Sequence, residues 1–244
     1  MRLYALIGRS LSHSFSARYF GEKFKRETID AEYHLVELDD VVRVRQFIAE
    51  HPSLCGFNVT IPYKQEIIPL LNDIDTTARE VGAVNCVSVV NGYTKGYNTD
   101  IEGIASSLNL LNVESTIRAI VLGSGGAAQA VCHTLRSRGI GHIVVSRQAN
   151  RGDYTYDTLT ADIIDSHKLI INTTPLGMFP HTECAPSIDY SAIGRQHKIF
   201  DLVYNPATTR FMTLCASQGA TVIGGSHMLQ VQAEASWRIW ESAR

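Results

Sequence analysis

A glycine-rich stretch in the middle of the chain constrains the fold most strongly: RAIVLGSGGAAQAVCHTLRSRG. An apolar strand runs into a turn, and the turn opens a helix that ends at Gly139. Gly123 permits a tight turn, Gly125 lets the backbone approach a pyrophosphate, and Ala128, in place of a third glycine, still allows close helix packing. The helix N-terminus supplies N–H donors and positive potential. We therefore expect a dinucleotide-binding βαβ unit, with a phosphate loop made of Gly123, Ser124, Gly125, Gly126, Ala127 and Ala128.

The next predicted strand, HIVVSR, indicates which dinucleotide binds. A NAD-binding unit usually carries Asp or Glu at the end of this strand, whereas this chain has Ser146, Arg147 and Gln148. Arg147 suits a ribose 2′-phosphate by its charge and its bidentate fork, and Arg151 follows closely. NADP is therefore favoured over NAD as the cofactor, with Ser146 and Arg147 as contacts. The alternative is that Arg147 simply points to solvent.

Apolar runs alternate with amphipathic stretches along the whole chain, which is typical of strands alternating with helices. One rhythm fills the first hundred residues, and a second begins after TDIEGIASSLNLLN. The fold class is therefore α/β, with two lobes. We expect a substrate-binding, catalytic domain at 1–100, completed by a C-terminal helix at 226–244, and a Rossmann-like NADP-binding domain at 101–225. The first sheet is expected to be parallel or mixed.

Composition excludes several classes of protein. The 244 residues carry a formal net charge of -2, and their Lys and Arg are scattered, so no nucleic-acid-binding face is expected. The five cysteines are odd in number and far apart, which favours neither a disulfide framework nor a zinc site and suits the cytoplasm. No metal motif is visible among the histidines, so no metal is expected. The chain shows neither a leader nor a run long enough to span a membrane.

The stretch GFNVTIPYKQ places a lysine in an unusual position. Pro62 fits the first turn of a helix that continues through EIIPLL, because its ring fixes a helical φ. Lys64 would then lie in the first turn, where the helix dipole disfavours a cation. This placement indicates a functional lysine, whereas the alternative is a solvated surface lysine.

Polar residues of the first lobe follow its predicted strands. Ser14 and Ser16 come just after the first strand, where their hydroxyls can bind a carboxylate or sugar-like hydroxyls, or cap the next helix. Loops at strand ends are expected to present Asn58, Thr60, Lys64, Asn85 and Asp100. Ligands usually bind at this place in open α/β sheets. Asn85 and Asp100 could equally be turn residues.

Eight blocks in this order make the chain resemble the shikimate dehydrogenase family: GRSLSHSFS, FNVTIPYK, GAVN, NTD, GSGGAAQA, NTTPLGM, DLVYNP and MLQVQA. The resemblance covers essentially the whole chain. It implies an N-terminal substrate lobe completed by the last helix, a C-terminal NADP lobe and an active site between them. It also implies reversible NADPH-dependent reduction of 3-dehydroshikimate to shikimate, a step toward chorismate and the aromatic amino acids.

The resemblance further implies a role for individual residues. Lys64 and Asp100 match the catalytic pair. The groups near the substrate carboxylate are matched by Ser14, Ser16 and Tyr204. The groups that hold the ring hydroxyls and carboxylate of the substrate are matched by Thr60, Asn85 and Gln232. Asn58 is counted with this substrate set. The nicotinamide side matches Thr173, Thr174, Pro175, Leu176, Gly177, Met178, Leu202 and Gly225. Lys64 would give a proton to the substrate oxygen and take it back in the reverse direction. A neutral Lys64 and a proton relay through the Lys64–Asp100 pair both stay open.

The chain departs from the family pattern at several positions. Ser146 and Gln148 flank Arg147 where Asn and Thr are usual, and Ser226, His227 and Met228 replace a GLGM pattern after Gly225. Two other functions stay open at this point. One is a quinate or quinate/shikimate dehydrogenase that uses NAD, and the other is a non-catalytic ligand sensor on the same fold. A monomer or a homodimer is expected.

Overall fold

The computed structural model describes residues 1–11 and 14–243. Its chain divides into two compact units, one made of Met1–Asp100 with Leu229–Arg244 and the other of Ile101–Met228. The last residue, Arg244, and residues 12 and 13 lie outside the described part. No helix within that part is both long and apolar enough to cross a membrane.

The first unit is built on a six-stranded mixed sheet. Its elements up to residue 97 are β1 (Arg2–Gly8), α1 (Phe15–Arg26), β2 (Ala31–Glu37), α2 (Val44–Glu50), β3 (Leu54–Val59), β4 (Asp73–Ile74), α3 (Thr76–Val81), β5 (Cys86–Val90) and β6 (Tyr93–Tyr97), with 3-10 helices at Val41–Arg43 and Ile68–Leu70. The strand order is β2-β1-β3-β5-β6-β4. Strand β1 runs parallel to both of its neighbours, whereas β5 is antiparallel to β3 and to β6.

The second unit is built on a five-stranded sheet in which every pair is parallel. Its elements, together with the closing helix, are α4 (Asp100–Leu110), β7 (Ala119–Leu122), α5 (Gly126–Ser137), β8 (His142–Val145), α6 (Ala161–Ser166), β9 (Leu169–Asn172), β10 (Lys198–Asp201), α7 (Arg210–Ser217), β11 (Thr221–Ile223) and α8 (Ser226–Ser242). The order is β11-β10-β9-β7-β8. Central strands such as AIVL and LIIN are buried throughout, as expected for a parallel sheet covered on both faces. The predicted α/β class is confirmed.

Parallel pairing brings the carboxyl ends of these five strands to one edge of the second sheet. Leu122 pairs with Val145 on one side and with Asn172 on the other, and Asn172 pairs in turn with Asp201. Each of these residues ends its strand. The segments that follow them, which contain the predicted cofactor residues, therefore start side by side, and this is where open α/β sheets bind ligands.

The sheet of the first unit separates two apolar cores because successive side chains of a strand point to opposite faces. Leu3 and Ala5 contribute to one core, whereas Tyr4 packs in the other. The second core includes Trp240 of α8, whose ring stacks on Tyr4 with centroids 4.7 Å apart and whose Nε1 donates to the Val87 carbonyl at 2.9 Å. A Cβ at Gly56 would lie 2.3 Å from the Trp240 ring, so this glycine allows α8 to pack against the sheet.

The prediction of a helix beginning at Pro62 is wrong. Residues 61–67 form turns, and only the short 3-10 helix at Ile68–Leu70 follows. The Lys64 carbonyl accepts the Val84 N–H at 2.7 Å, so it is not available for a helical bond to residue 68. Pro69 has no N–H and disfavours helical geometry in the residue before it. Lys64 is therefore not placed in a helical first turn, and the dipole argument for its importance fails.

Two site residues also lie in elements that the sequence did not predict for them. Asn58 is inside β3 and Asp100 is the first residue of α4, so the expectation that both come from loops is wrong. Strand β3 continues through Asn58 because this residue is paired with Leu6 on one side and Cys86 on the other. Thr60 follows the strand as expected.

Candidate active site

Lys64 and Asp100 form an ion pair. The Lys64 Nζ lies 2.6 Å from Asp100 Oδ2, and the two side chains are 18% and 5% exposed. The Lys64 backbone is fixed by its carbonyl bond from Val84, and the preceding residue, Tyr63, is buried. A carboxylate at the first position of α4 is also favoured by the helix dipole. The structure thus brings together the two residues predicted as a catalytic pair, 36 positions apart in the sequence.

Asn85 fixes the carboxylate of this pair. Its side chain is 2% exposed, and its Nδ2 donates to Asp100 Oδ1 at 2.8 Å. The same nitrogen lies 3.0 Å from Thr99 Oγ1 and 3.2 Å from Gln232 Oε1. On the other side, Asn85 Oδ1 accepts the Thr99 N–H at 2.7 Å. Since one oxygen of Asp100 is held by Asn85, the other oxygen faces Lys64.

Asn58 lies deeper in the same polar cluster. Its Nδ2 donates to the Asn85 carbonyl at 3.1 Å and to Ser236 Oγ at 2.9 Å, and its Oδ1 accepts from the Tyr33 hydroxyl at 2.9 Å. Both amide hydrogens and the amide oxygen are therefore engaged within the protein. Burial raises the pKa of Tyr33 well above its ordinary value.

The two predicted serines lie at the start of α1. Ser14 is the N-cap residue and its Oγ accepts the Ala17 N–H at 3.5 Å, so it also has the capping role that the sequence left open. Ser16 is 8% exposed. Glu37, the last residue of β2, contacts the residue that precedes the undescribed positions 12 and 13: its Oε1 accepts the Leu11 N–H at 2.6 Å. The sequence did not indicate Glu37, because no local pattern connects the end of β2 with Leu11.

The phosphate loop has the geometry expected for a dinucleotide. Gly123 adopts φ +109°, and a Cβ there would lie 2.5 Å from Thr173 Oγ1, so only glycine fits. Gly125 is the N-cap residue of α5, makes no side-chain cap and has no atom within 4 Å of a Cβ position. The N-terminus of α5 is therefore unobstructed at Gly125, as a backbone approach to a pyrophosphate requires. Ala128 is buried, in agreement with its expected packing role.

Charged and hydroxyl groups lie beside this loop. Ser124 Oγ is 3.1 Å from Ser146 Oγ, and the Arg151 guanidinium donates to the Ser124 carbonyl at 3.4 Å. Arg147 is exposed. Arg147 and Arg151 follow β8, and no acidic residue comes directly after this strand. This pair of arginines fits a dinucleotide that carries a 2′-phosphate.

The residues predicted for the nicotinamide side follow β9, β10 and β11. Thr173 Oγ1 donates to the Leu122 carbonyl at 2.7 Å, and Gly177 adopts φ +86°. A Cβ at Gly225 would lie 2.2 Å from the Leu202 carbonyl oxygen, so these two predicted residues are in contact. The remaining members, Thr174, Pro175, Leu176 and Met178, lie in the same segment after β9. Tyr204 belongs to the second unit, whereas the other predicted substrate residues belong to the first.

A buried network at the ends of β9 and β10 was missed by the sequence analysis. Asp201 accepts from Asn172 Nδ2 at 2.9 Å, from the Val203 N–H at 3.1 Å and from Thr209 Oγ1 at 2.6 Å. All three side chains are fully buried, and burial raises the pKa of Asp201 above its ordinary value. The network fixes the segments that carry the predicted nicotinamide contacts. Polar residues that end apolar strands, as in LIIN and KIFD, were the available signal.

The buried cysteines do not contribute a nucleophile. Burial raises the pKa of Cys86 and of Cys215 to about 12 and that of Cys132 to about 11. The thiolate is the reactive form, so these three thiols stay unreactive at neutral pH.

Known proteins resemble this chain in sequence and in fold. Residues 6–87 match the family model described as the shikimate dehydrogenase substrate binding domain. A shikimate dehydrogenase (NADP(+)) from Methanosphaera stadtmanae is 34% identical over 92% of this chain and 86% of its own length. The corresponding protein from Crocosphaera subtropica is 37% identical over 98% and 90%.

A solved structure shares the fold along the whole chain. It is the shikimate 5-dehydrogenase from Thermus thermophilus in complex with NADP(H) and shikimate, with a TM-score of 0.89 and 25% identity, over 99% of this chain and 94% of that one. Identity above 30% with the two sequence relatives over nearly the full length, together with the matching family model, shows that this chain belongs to the shikimate dehydrogenase family.

Proposed function

We propose that this chain catalyses the reversible NADPH-dependent reduction of 3-dehydroshikimate to shikimate, with Lys64 and Asp100 as its catalytic pair. It is an NADP-dependent oxidoreductase acting on a CH–OH group, and its reaction is a step of the shikimate pathway toward chorismate and the aromatic amino acids. The observation that carries the assignment of the pair is the 2.6 Å contact between the Lys64 amine and the buried Asp100 carboxylate.

Lys64 handles the proton in this proposal. The cofactor, when bound, supplies the hydride to the substrate carbonyl carbon. Lys64 gives a proton from Nζ to the carbonyl oxygen as negative charge develops there, and in the reverse direction Nζ takes the proton from the substrate hydroxyl. Asp100 Oδ2 accepts one N–H of the ammonium and so orients the other two. Asn85 holds the second carboxylate oxygen, which keeps Asp100 from rotating away.

The first unit is proposed to bind the substrate. Ser14 and Ser16 are assigned to its carboxylate together with Tyr204, and Thr60, Asn85 and Gln232 to its hydroxyls and carboxylate. The polar clustering of Asn85 and Gln232 around the catalytic pair supports this assignment. Asn58 is kept in the substrate set, and the bonds that engage its amide also give it a positioning role.

The second unit is proposed to bind NADP. The phosphate loop from Gly123 to Ala128 would hold the pyrophosphate, and Ser146 and Arg147, with Arg151, would hold the adenosine 2′-phosphate. The segment from Thr173 to Met178, with Leu202 and Gly225, would line the nicotinamide side. The open space at Gly125 and the exposed Arg147 support these roles.

The cellular setting is proposed on simpler grounds. All five cysteines are free, which suits the reducing cytoplasm. A monomer or a homodimer is expected, and light scattering during gel filtration distinguishes the two.

The test is the appearance of reduced nicotinamide absorbance with shikimate or quinate, each combined with NADP or NAD. Fast turnover with shikimate and NADP is the expected result. Turnover mainly with quinate or NAD would indicate a quinate dehydrogenase. Folded protein that binds NADP but turns over in none of the four combinations would indicate a sensor and would overturn the proposal.

A further inference from the structure

A chain of hydrogen bonds extends from the catalytic pair into the first unit and is buried except at its Tyr33 end, which is partly exposed. We call Tyr33, Asn58, Ser236 and Thr99 the support chain. The Tyr33 hydroxyl donates to Asn58 Oδ1 at 2.9 Å, Asn58 Nδ2 donates to Ser236 Oγ at 2.9 Å, and Ser236 Oγ lies 3.2 Å from Thr99 Oγ1. The four residues come from β2, β3, α8 and the residue before α4. The support chain thus links four separate segments by side-chain contacts alone.

Burial makes these contacts costly to lose. Asn58 is 4% exposed, Thr99 1% and Ser236 0%. Water cannot easily replace a deleted hydroxyl at such positions, so the partner left behind keeps an unsatisfied donor or acceptor. Networks of this kind also fix a single side-chain arrangement.

One end of the support chain holds the catalytic pair. The Thr99 N–H donates to Asn85 Oδ1 at 2.7 Å, and Asn85 Nδ2 donates to Asp100 Oδ1 at 2.8 Å. Asp100 is in turn 2.6 Å from the Lys64 amine. A displacement of Thr99 therefore reaches Asp100 both through the peptide bond that joins them and through Asn85.

The other end holds a predicted substrate contact. The Tyr33 ring stacks on Phe20 of α1 with centroids 4.7 Å apart, and Ser16 lies one turn earlier in the same helix. Ser16 is assigned to the substrate carboxylate. The support chain therefore connects the group that would fix one side of the substrate with the pair that would move its proton.

We propose that Tyr33 and Ser236 are positioning residues for proton transfer, which act through Asn58 and Thr99 on the Lys64–Asp100 pair. The inference rests on the proposed catalytic role of that pair. A purely structural role predicts lower stability with normal turnover. A positioning role predicts lower turnover at nearly normal substrate affinity, since the misplaced groups matter most in the transition state.

The variant Ser236→Ala has a closely matched control in Ser107→Ala. Both serines are fully buried, and each hydroxyl donates to the carbonyl four residues earlier in its helix at 2.9 Å. Of the two serines, only Ser236 is a member of the support chain. We expect Ser236→Ala to lower kcat for shikimate oxidation about 5- to 30-fold, with KM changed less than about threefold, from the cost of one unsatisfied buried group. Ser107→Ala should keep kcat within about twofold, since it leaves that network intact.

A double-mutant cycle tests whether the support chain acts as a unit. Tyr33→Phe removes one hydroxyl and keeps the ring stack, and Tyr33 and Ser236 share Asn58 as a partner. We expect the double variant to lose less kcat than the product of the two single losses, because groups of one network are not additive. Should Ser236→Ala fail to fold, Tyr33→Phe carries the comparison with Ser107→Ala by itself.

The outcomes separate this inference from the assignment on which it rests. Ser236→Ala or Tyr33→Phe with kcat as close to wild type as Ser107→Ala, or multiplicative losses in the double variant, would overturn the positioning role. Lys64→Ala is measured in the same assay. If Lys64→Ala keeps normal turnover, the catalytic pair itself is wrongly assigned. If Lys64→Ala is the only variant with a large loss of turnover, the assignment of the pair stands and only the role of the support chain is rejected.

Discussion

Changing Asn85 to aspartate tests how the catalytic carboxylate is held, because the substitution keeps the size of the side chain. In Asn85→Asp the oxygen that accepts the Thr99 N–H is retained. The nitrogen that donates to Asp100 Oδ1 at 2.8 Å becomes a second carboxylate oxygen. A buried donor is thus replaced by an acceptor that faces another acceptor.

The size of the effect follows from that distance. Two unit charges 2.8 Å apart repel by about 6 kcal/mol at an effective dielectric constant of about 20. One shared proton relieves the repulsion by forming an O–H···O bond, so the variant should hold this proton at acidic pH and lose it as the pH rises. Its deficit in kcat/KM relative to wild type should therefore grow with pH.

Asn85→Ala is the comparison, because it removes the same donor to Asp100, together with the acceptor of the Thr99 N–H, and adds no charge. Its cost is that of unpaired buried groups, about 1–3 kcal/mol each, with little dependence on pH. The assay is kcat/KM for shikimate oxidation by NADP across the range in which all three proteins stay folded. Parallel pH profiles for the two variants would refute the reasoning, since they would show that Asn85 does not face the Asp100 carboxylate.

Three further predictions concern the second unit. Gly123→Ala should lower the free energy of unfolding by about 1–3 kcal/mol, because Gly123 has a positive φ and a Cβ there would clash with Thr173 Oγ1. Gly125→Ala has open space around it and should leave the free energy of unfolding nearly unchanged. Urea unfolding of both variants measures the two effects. Burial raises the pKa of Asp201 above 3.8, so its ionised form is less favoured in the folded protein than in the unfolded chain. Wild type should therefore lose stability relative to Asp201→Asn as the pH rises from about 3.8 through the folded pKa, and a constant difference in unfolding free energy would contradict this. Arg147→Ala should raise the KM for NADP by about tenfold or more and leave that for NAD nearly unchanged, as measured by initial rates; equal effects on both cofactors would exclude a contact with the 2′-phosphate.

Local patterns in the sequence were sufficient to predict the phosphate loop of the second unit. The phosphate loop was predicted because strand, glycines and helix are contiguous, and the positive φ of Gly123 needs a glycine whatever lies far away. The network around Asp201 was missed although its strand was predicted. Asp201 ends β10, whereas its partner Asn172 ends β9 and its partner Thr209 caps α7. Their contacts with Asp201 therefore depend on the parallel pairing of β9 and β10.

Non-local contacts limited the prediction for the first unit. Residues 62–71 alone favoured a helix at Pro62. The Lys64 carbonyl, however, accepts the N–H of Val84, twenty residues later in the chain. The pair of Lys64 and Asp100 was identified by resemblance and not by spacing. The contact of Asn58 with Ser236 joins residues 178 positions apart, and no pattern within either segment indicates it.

The most direct test of the account is the kinetics of Lys64→Ala in shikimate oxidation by NADP. Lys168→Ala is the control, since Lys168 also forms a 2.6 Å ion pair, with Asp165, in the second unit. The account predicts that kcat of Lys64→Ala falls by about 100-fold or more, as for loss of a general acid–base group, while KM for shikimate changes far less. Near-normal kcat with a large loss of shikimate binding would contradict it and would leave Lys64 as a substrate anchor.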